Sequence, residues 1–242
     1  MRVGLFIPCY INQLYPDVAR ATLSLLEKAG CNVVYPLGQT CCGQPMANAG
    51  FASYTGGCNR NFIGNFSGFD HIVVPSGSCA LHIREHLHDQ DEALAAAIRG
   101  RVFELTEFLT DVLHYAVQAR FPHRVGLHIS CHGQRMLGLA SMSERMEPSF
   151  SKAEALLQQV EGLQLLLPER RDECCGFGGT FCVTEEAVSV AMGSDREEQH
   201  ERNQVDFITG GDVSCLMHLE GILKRRNSPV RIVHIAEILD AE

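Results

Sequence analysis

The chain has 242 residues, a formal net charge of -9 at pH 7 and a pI near 5.6, with 45% hydrophobic and 20% charged residues. That composition supports a substantial buried core, excludes disorder as the dominant state, and offers no clustered cations of the kind that displace counterions from nucleic acid. No window approaches the roughly 20 apolar residues of a membrane-spanning helix, so no direct membrane insertion is expected.

Met1 to Cys9 carries only a short apolar run, ended by Pro8 and followed by no small-residue cleavage site. It reads as a first strand, Val3 to Ile7, not as a signal peptide, and a cytoplasmic location follows, with any membrane association made through partners. A helical pattern from Asp17 to Ala29, stopped by Gly30, and a strand from Cys31 to Tyr35 continue a βαβ start, which implies a parallel sheet. After Cys41-Cys42-Gly43-Gln44-Pro45 the pattern predicts a helix, a strand at His71 to Val74, and further helices, one from about Val102 to Ala119.

The order then restarts. A strand is expected at Val125 to Ile129, a helix near Lys152 to Val160, a strand at Leu163 to Leu167, and then Cys174-Cys175-Gly176. A helix near Glu185 to Glu201, a strand at Asp206 to Thr209, a helix after Cys215 and a strand at Arg231 to Val233 follow. Val3-Gly4-Leu5-Phe6-Ile7-Pro8-Cys9 matches Val125-Gly126-Leu127-His128-Ile129-Ser130-Cys131, and Glu104 to Leu109 matches His234 to Leu239. The fold class expected is α/β: two tandem repeats of a parallel-sheet, Rossmann-like unit related by a pseudo-two-fold axis, spanning residues 1–120 and 121–242 and linked near Phe121-Pro122-His123.

Eleven cysteines, in a chain without an export signal, are expected to be reduced thiols available for metal or redox work. Cys9, Cys41, Cys42 and Cys79 fall at carboxyl ends of first-half strands, as do Cys131, Cys174, Cys175 and Cys215 in the second half. In a parallel sheet those ends converge on one crevice. Adjacent cysteines suit a polynuclear cluster, which offers them separate iron atoms, better than a single zinc ion. Gly43 and Gly176 are the expected cofactor-binding glycines, free to take positive φ and bring backbone amides to the sulphurs.

Weighed against this, any one of these residues would be a common buried core cysteine; the same triplet in two matching contexts favours metal. Cys31 reads as core, Cys58 as a core or surface thiol, and Cys182 as outside the ligand set. His82 and His218, three residues after the last cysteine of each half, read as helix-surface histidines, and His132 beside Cys131 as a possible hydrogen-bond donor without an assigned role.

These motifs, with Ser76-Gly77-Ser78-Cys79, Gly176-Phe177-Gly178-Gly179-Thr180-Phe181 and Cys215-Leu216-Met217, resemble the cysteine-rich CCG-domain family over essentially the whole chain. Within it the arrangement is most similar to the lactate-utilisation protein A type, and more distantly to the glycolate oxidase iron-sulphur subunit and the heterodisulphide reductase B subunit. The reductase relatives end each motif in Cys-x-x-Cys. Here Ser76 and Asp212 stand at the first of those positions, which favours a four-thiolate cluster over a five-thiolate non-cubane one, and Val213 stands where some relatives place another cysteine.

The resemblance implies an iron-sulphur electron-transfer subunit, with one or two 4Fe-4S clusters per chain, of a complex that oxidises L-lactate to pyruvate. It further implies partnership with a ferredoxin-like iron-sulphur subunit and a third subunit of that lactate-utilisation system. No Gly-x-Gly-x-x-Gly fingerprint accompanies a strand and helix here, so hydride chemistry by this chain alone is not expected. The alternatives are a cluster-dependent thiol/disulphide oxidoreductase subunit, a glycolate or other 2-hydroxy-acid oxidation subunit, and a zinc-binding assembly protein.

Overall fold

A computed structural model describes residues 1–146 and 148–242. The first half contains β1 (Arg2–Leu5), α1 (Cys9–Leu14), α2 (Pro16–Lys28), β2 (Asn32–Val34), α3 (Gln44–Asn48), α4 (Gly56–Phe66), β3 (His71–Val74), α5 (Gly77–His86), α6 (Glu92–Arg99), β4 (Val102–Glu104) and α7 (Leu105–Glu107). The second contains β5 (Arg124–Leu127), α8 (Lys152–Leu157), β6 (Gln164–Leu166), α9 (Phe181–Thr184), α10 (Glu186–Arg202), β7 (Phe207–Gly210), α11 (Val213–Arg225), β8 (Arg231–His234) and α12 (Ile235–Leu239). Each half forms its own four-stranded sheet, ordered β2-β1-β3-β4 and β6-β5-β7-β8, and every strand pair is parallel. The repeat read from the sequence is therefore a repeat of α/β architecture.

The helix expected from Val102 to Ala119 is not formed. Val102 to Glu104 is instead the fourth strand, the counterpart of β8, and Glu104 ends it by capping α7 with a capping box, as His234 caps α12. A π-type turn runs from Phe108 to Val112, after which the chain is irregular. Leu113, Tyr115 and Val117 nevertheless pack on the core, with Ala119 part of it. Their apolar spacing alternates instead of following a 3.6-residue period, so their burial comes from tertiary packing.

The two halves share one core. Val3, Leu5 and Leu25 pack in the same cluster as Val125, Leu127, Ile235 and Leu239. The exchange is reciprocal, as a pseudo-two-fold relation requires: α7 leans on α8, and α12 leans on α2. Asp240 at the end of α12 accepts from Ser24 Oγ and Lys28 Nζ, each at 2.7 Å. A second tie lies between the sheets, where buried Asp212 caps α11 through Ser214 and also accepts the Ser78 N–H of α5 at 2.7 Å. One carboxylate thus satisfies the starts of two helices in different halves.

Glu104 is fully buried; its Oε2 accepts the N–H groups of Thr106 and Glu107, while its Oε1 has no partner among the described residues. Burial pushes its carboxyl up to about 7. A raised acid is favoured in the folded state while protonated, so its contribution is complete below the ordinary value of 4.5 and is lost as pH rises towards about 7. Urea titrations across this interval are expected to show wild-type stability falling relative to Glu104→Gln, by up to about 3 kcal/mol for a group so deeply buried.

Candidate metal centre

The first half brings its four predicted thiols together at the carboxyl edge of its sheet. Cys9 opens α1, Cys41 and Cys42 precede α3, and Cys79 lies in the first turn of α5. Cys9 Sγ is 3.8 Å from Cys41 Sγ, and Cys42 Sγ is 3.5 Å from Cys79 Sγ. Gly43 has φ +93°, and its N–H donates to Cys41 Sγ at 3.4 Å. The second half repeats the device: Gly176 has φ +89° and donates to Cys174 Sγ at 3.4 Å, while Phe177 N–H donates to Cys175 Sγ at 3.5 Å. A side chain at Gly176 would in addition press its Cβ to 2.6 Å from Ser189 O on α10. Both turns therefore need a residue without Cβ.

The two groups of thiols face each other. Cys9, Cys42, Cys79, Cys131, Cys174, Cys175 and Cys215 line a single cavity of about 330 Å³ between the halves. Tyr10 and Phe177 meet edge to face across it, with ring centroids 6.2 Å apart.

Hydrogen bonds among the thiols divide their protons. Cys41 accepts from Cys42 and Cys9 and is held far below the ordinary thiol value, while Cys9, donating to Cys41 and partly buried, is pushed up. Cys174 is likewise lowered by Cys131 and Cys175, and those two are raised by Cys174 and by burial. For Cys215 the Cys175 hydrogen bond is the largest influence and pulls down, but burial together with the charges of Asp212 and Cys174 outweighs it and the thiol is raised. Each half is thus set up to carry a thiolate at the first cysteine of its pair.

Several neighbours differ from expectation. His82 is buried, not a surface residue, and His218 is half-buried with Nε2 3.2 Å from Ser189 O. Both helices place these rings toward the sheet edge because the cysteine three residues earlier already faces inward. Cys58 is half-buried beside the first site: a Cβ built on Gly43 would lie 3.4 Å from its Cβ. Cys182 donates to Gly179 O at 3.0 Å, Cys31 lies in the core, and Cys131 Sγ is 4.0 Å from His132 Nδ1. Ser76 and Asp212, which stand at the first position of the Cys-x-x-Cys pattern that the resemblance implies, are engaged with each other's half: Ser76 Oγ lies 3.5 Å from Asp212 Oδ1.

Sequence reasoning passed over His128 and Arg196. A ring nitrogen of His128 and the Sγ atoms of Cys175 and Cys215 all lie within 4.8 Å of one another, and among the described residues this is the one such trio of potential ligands. Arg196, wholly buried, donates from Nε to His128 Nδ1 at 3.1 Å. Burial and that guanidinium hold His128 well below the ordinary imidazole range. The signal available in the sequence was the repeat itself, which sets His128 opposite Phe6.

The donor set can be tested against candidate metals. A tetrahedral mononuclear site with thiolate bonds of about 2.3 Å requires every S···S edge to be about 3.8 Å. Neither quartet meets this, since among the described residues no three of its thiols lie mutually within 4.8 Å. The contacts run instead as a chain, Cys9 to Cys41 and Cys42 to Cys79. An open set of soft thiolates with amide donors on the sulphurs fits a polynuclear iron-sulphur group.

The sequence pattern described as "CCG: Cysteine-rich domain" matches residues 3–84 and 125–220, one match in each half. The chain belongs to the CCG cysteine-rich domain family. It is 38% identical to "Lactate utilization protein A" of Geobacillus sp. (strain WCH70) over 100% of both chains, and 37% identical to the protein of that name from Geobacillus kaustophilus (strain HTA426), over 100% of this chain and 99% of the relative. A solved structure of a hypothetical protein from Helicobacter pylori superposes with TM-score 0.63 at 12% identity, covering 98% of this chain and 48% of that one, a likeness of fold. No helix among the described residues is long and apolar enough to cross a membrane.

The proton division gives an order of reactivity for this CCG chain in its metal-free, reduced form. Brief alkylation at neutral pH, followed by mass mapping, is expected to label half-buried Cys41 and Cys174 ahead of buried Cys42 and Cys175. Cys31, buried in the core and also raised, is expected to label late.

Proposed function

We propose that this chain is an iron-sulphur electron-transfer subunit of a system that oxidises L-lactate to pyruvate. The observation that carries the reading is the pair of matching thiol quartets, Cys9, Cys41, Cys42, Cys79 and Cys131, Cys174, Cys175, Cys215, all but Cys41 lining one cavity, in a chain whose relatives are named for lactate utilisation. Each CCG repeat, residues 1–120 and 121–242, would hold one 4Fe-4S centre, which when bound supplies reversible one-electron storage. Gly43 and Gly176 serve it through their amides, which offset negative charge on the sulphurs. The cavity walls limit water at the thiolates, which disfavours the more negative reduced state and so works against the amides.

Conversion of one lactate to pyruvate releases two electrons and two protons. This chain carries no dinucleotide fingerprint, so the substrate-oxidising step is assigned to a partner. A ferredoxin-like iron-sulphur subunit and a third subunit of the lactate-utilisation system complete the path, in the cytoplasm. A second reading, a zinc-binding assembly protein, is supported by the closeness of the Cys175 and Cys215 thiols, whose Sγ atoms lie within 4.8 Å of each other.

Iron, acid-labile sulphide and zinc are to be measured per chain after purification and reconstitution without oxygen. Iron and sulphide at about four each per centre support the proposal, and Cys175→Ser is then expected to remove the second half's share along with electron transfer to the partner. Zinc without sulphide overturns it in favour of the second reading.

A further inference from the structure

The two halves match in backbone but not in what lies behind their thiols. Phe6 N–H donates to Val73 O in the first sheet, and His128 N–H donates to Thr209 O in the second, at the same register one residue past β1 and β5. The helices behind them correspond as well. A Cβ on Gly4 would strike Phe66, and a Cβ on Gly126 would strike His200, so Phe66 and His200 are equivalent. One turn earlier on those helices stand Phe62 and Arg196.

The first half thus fills this place with an aromatic triad, Phe6 meeting Phe62 and Phe66 at centroid distances of 5.2 and 5.7 Å. The second half fills it with His128, Arg196 and His200, which are 1%, 0% and 0% exposed. His82 and His218 occupy matching places in the two halves, so they are not the source of this difference.

Arg196 is a buried cation with no carboxylate within 4 Å among the described residues; its N–H groups go to Arg170 O, Arg171 O and His128 Nδ1. A guanidinium only donates, so His128 Nδ1 must offer its lone pair and the ring proton must sit on Nε2. Nε2 is buried and has no partner among the described residues, and the ring borders Cys175 and Cys215. A protonated Nε2 has no lone pair for a metal, but it is a donor for a thiolate.

On the iron-sulphur reading above, we infer that the two centres are unequal: His128, oriented by Arg196, donates Nε2–H to the Cys175 and Cys215 thiolates and makes the second-half centre the stronger electron acceptor. Hydrogen bonds to the sulphurs and a nearby buried positive charge both stabilise the reduced, more negative state. The apolar wall around Phe6 provides neither. An electron entering the subunit therefore settles in the second half, and the partner that withdraws it is served best at that side. Arg196 acts here as a positioning residue.

The test is a potentiometric titration, followed by electron paramagnetic resonance, of the full chain reconstituted without oxygen and first analysed for iron and sulphide. Two separate one-electron steps are expected, the higher one persisting in a Cys41→Ser/Cys42→Ser chain that lacks the first centre. His128→Phe, which installs the first half's residue, is expected to shift the electron's partition between the centres at least tenfold toward the first, a change of about 59 mV in the upper step. His128→Gln, which keeps an N–H, is expected to restore part of it. A loaded protein whose two steps coincide, or whose upper step is unmoved in His128→Phe, overturns the inference and leaves the iron-sulphur reading standing. Absence of iron and sulphide overturns that reading, and this inference with it.

Discussion

The structure depends on the carboxyl edges of two parallel sheets being held face to face. A parallel sheet collects its loops at that edge, but one sheet of this size offers a single row of thiols and one open side. Asp212 closes the arrangement by accepting the Ser78 N–H of the first half while it caps α11 in the second. Gly211 O adds a backbone bond to Gly77 N at 3.3 Å. With these contacts made, Cys79 and Cys215, in the first turns of α5 and α11, come to border the same cavity.

Ser76 and Asp212 show how a motif position can change its occupation while keeping its place. The family resemblance marks them as positions where distant relatives carry a thiol, and here they bind each other's half. Their hydrogen-bonding groups are spent on helix starts: Ser76 Oγ on Cys79 N, and Asp212 on Ser78 and Ser214. The departure from the family pattern thus exchanges a candidate ligand in each half for a tie between the halves.

Much of this was legible in the chain itself. His71 to Val74 was bounded to the residue because an apolar run ends at Pro75, and the Cys-Cys-Gly turns declared themselves because no other residue serves a positive φ so cheaply. The segment after Val102 misled because three strand residues, a capping box and a buried irregular stretch together imitate an apolar helix. Phe6 and His128 stood aligned in the repeat, yet the meaning of the mismatch depended on Arg196, 68 residues away along the chain and 3.1 Å away in space. Such a pairing is set by how α10 packs across the sheet, which local patterns do not encode.

The seating of α12 on α2 has a consequence for synthesis. The apolar face of α2, with Leu25 and Leu26 fully buried, is covered in part by residues 235–239, which emerge from the ribosome more than 200 residues later. Chains elongate at about 5–20 residues per second, so the nascent first half waits for many seconds with that face uncovered. During the wait the first half's part of the common core, Leu25 included, stands without Ile235 and Leu239, which pack with it in the finished chain.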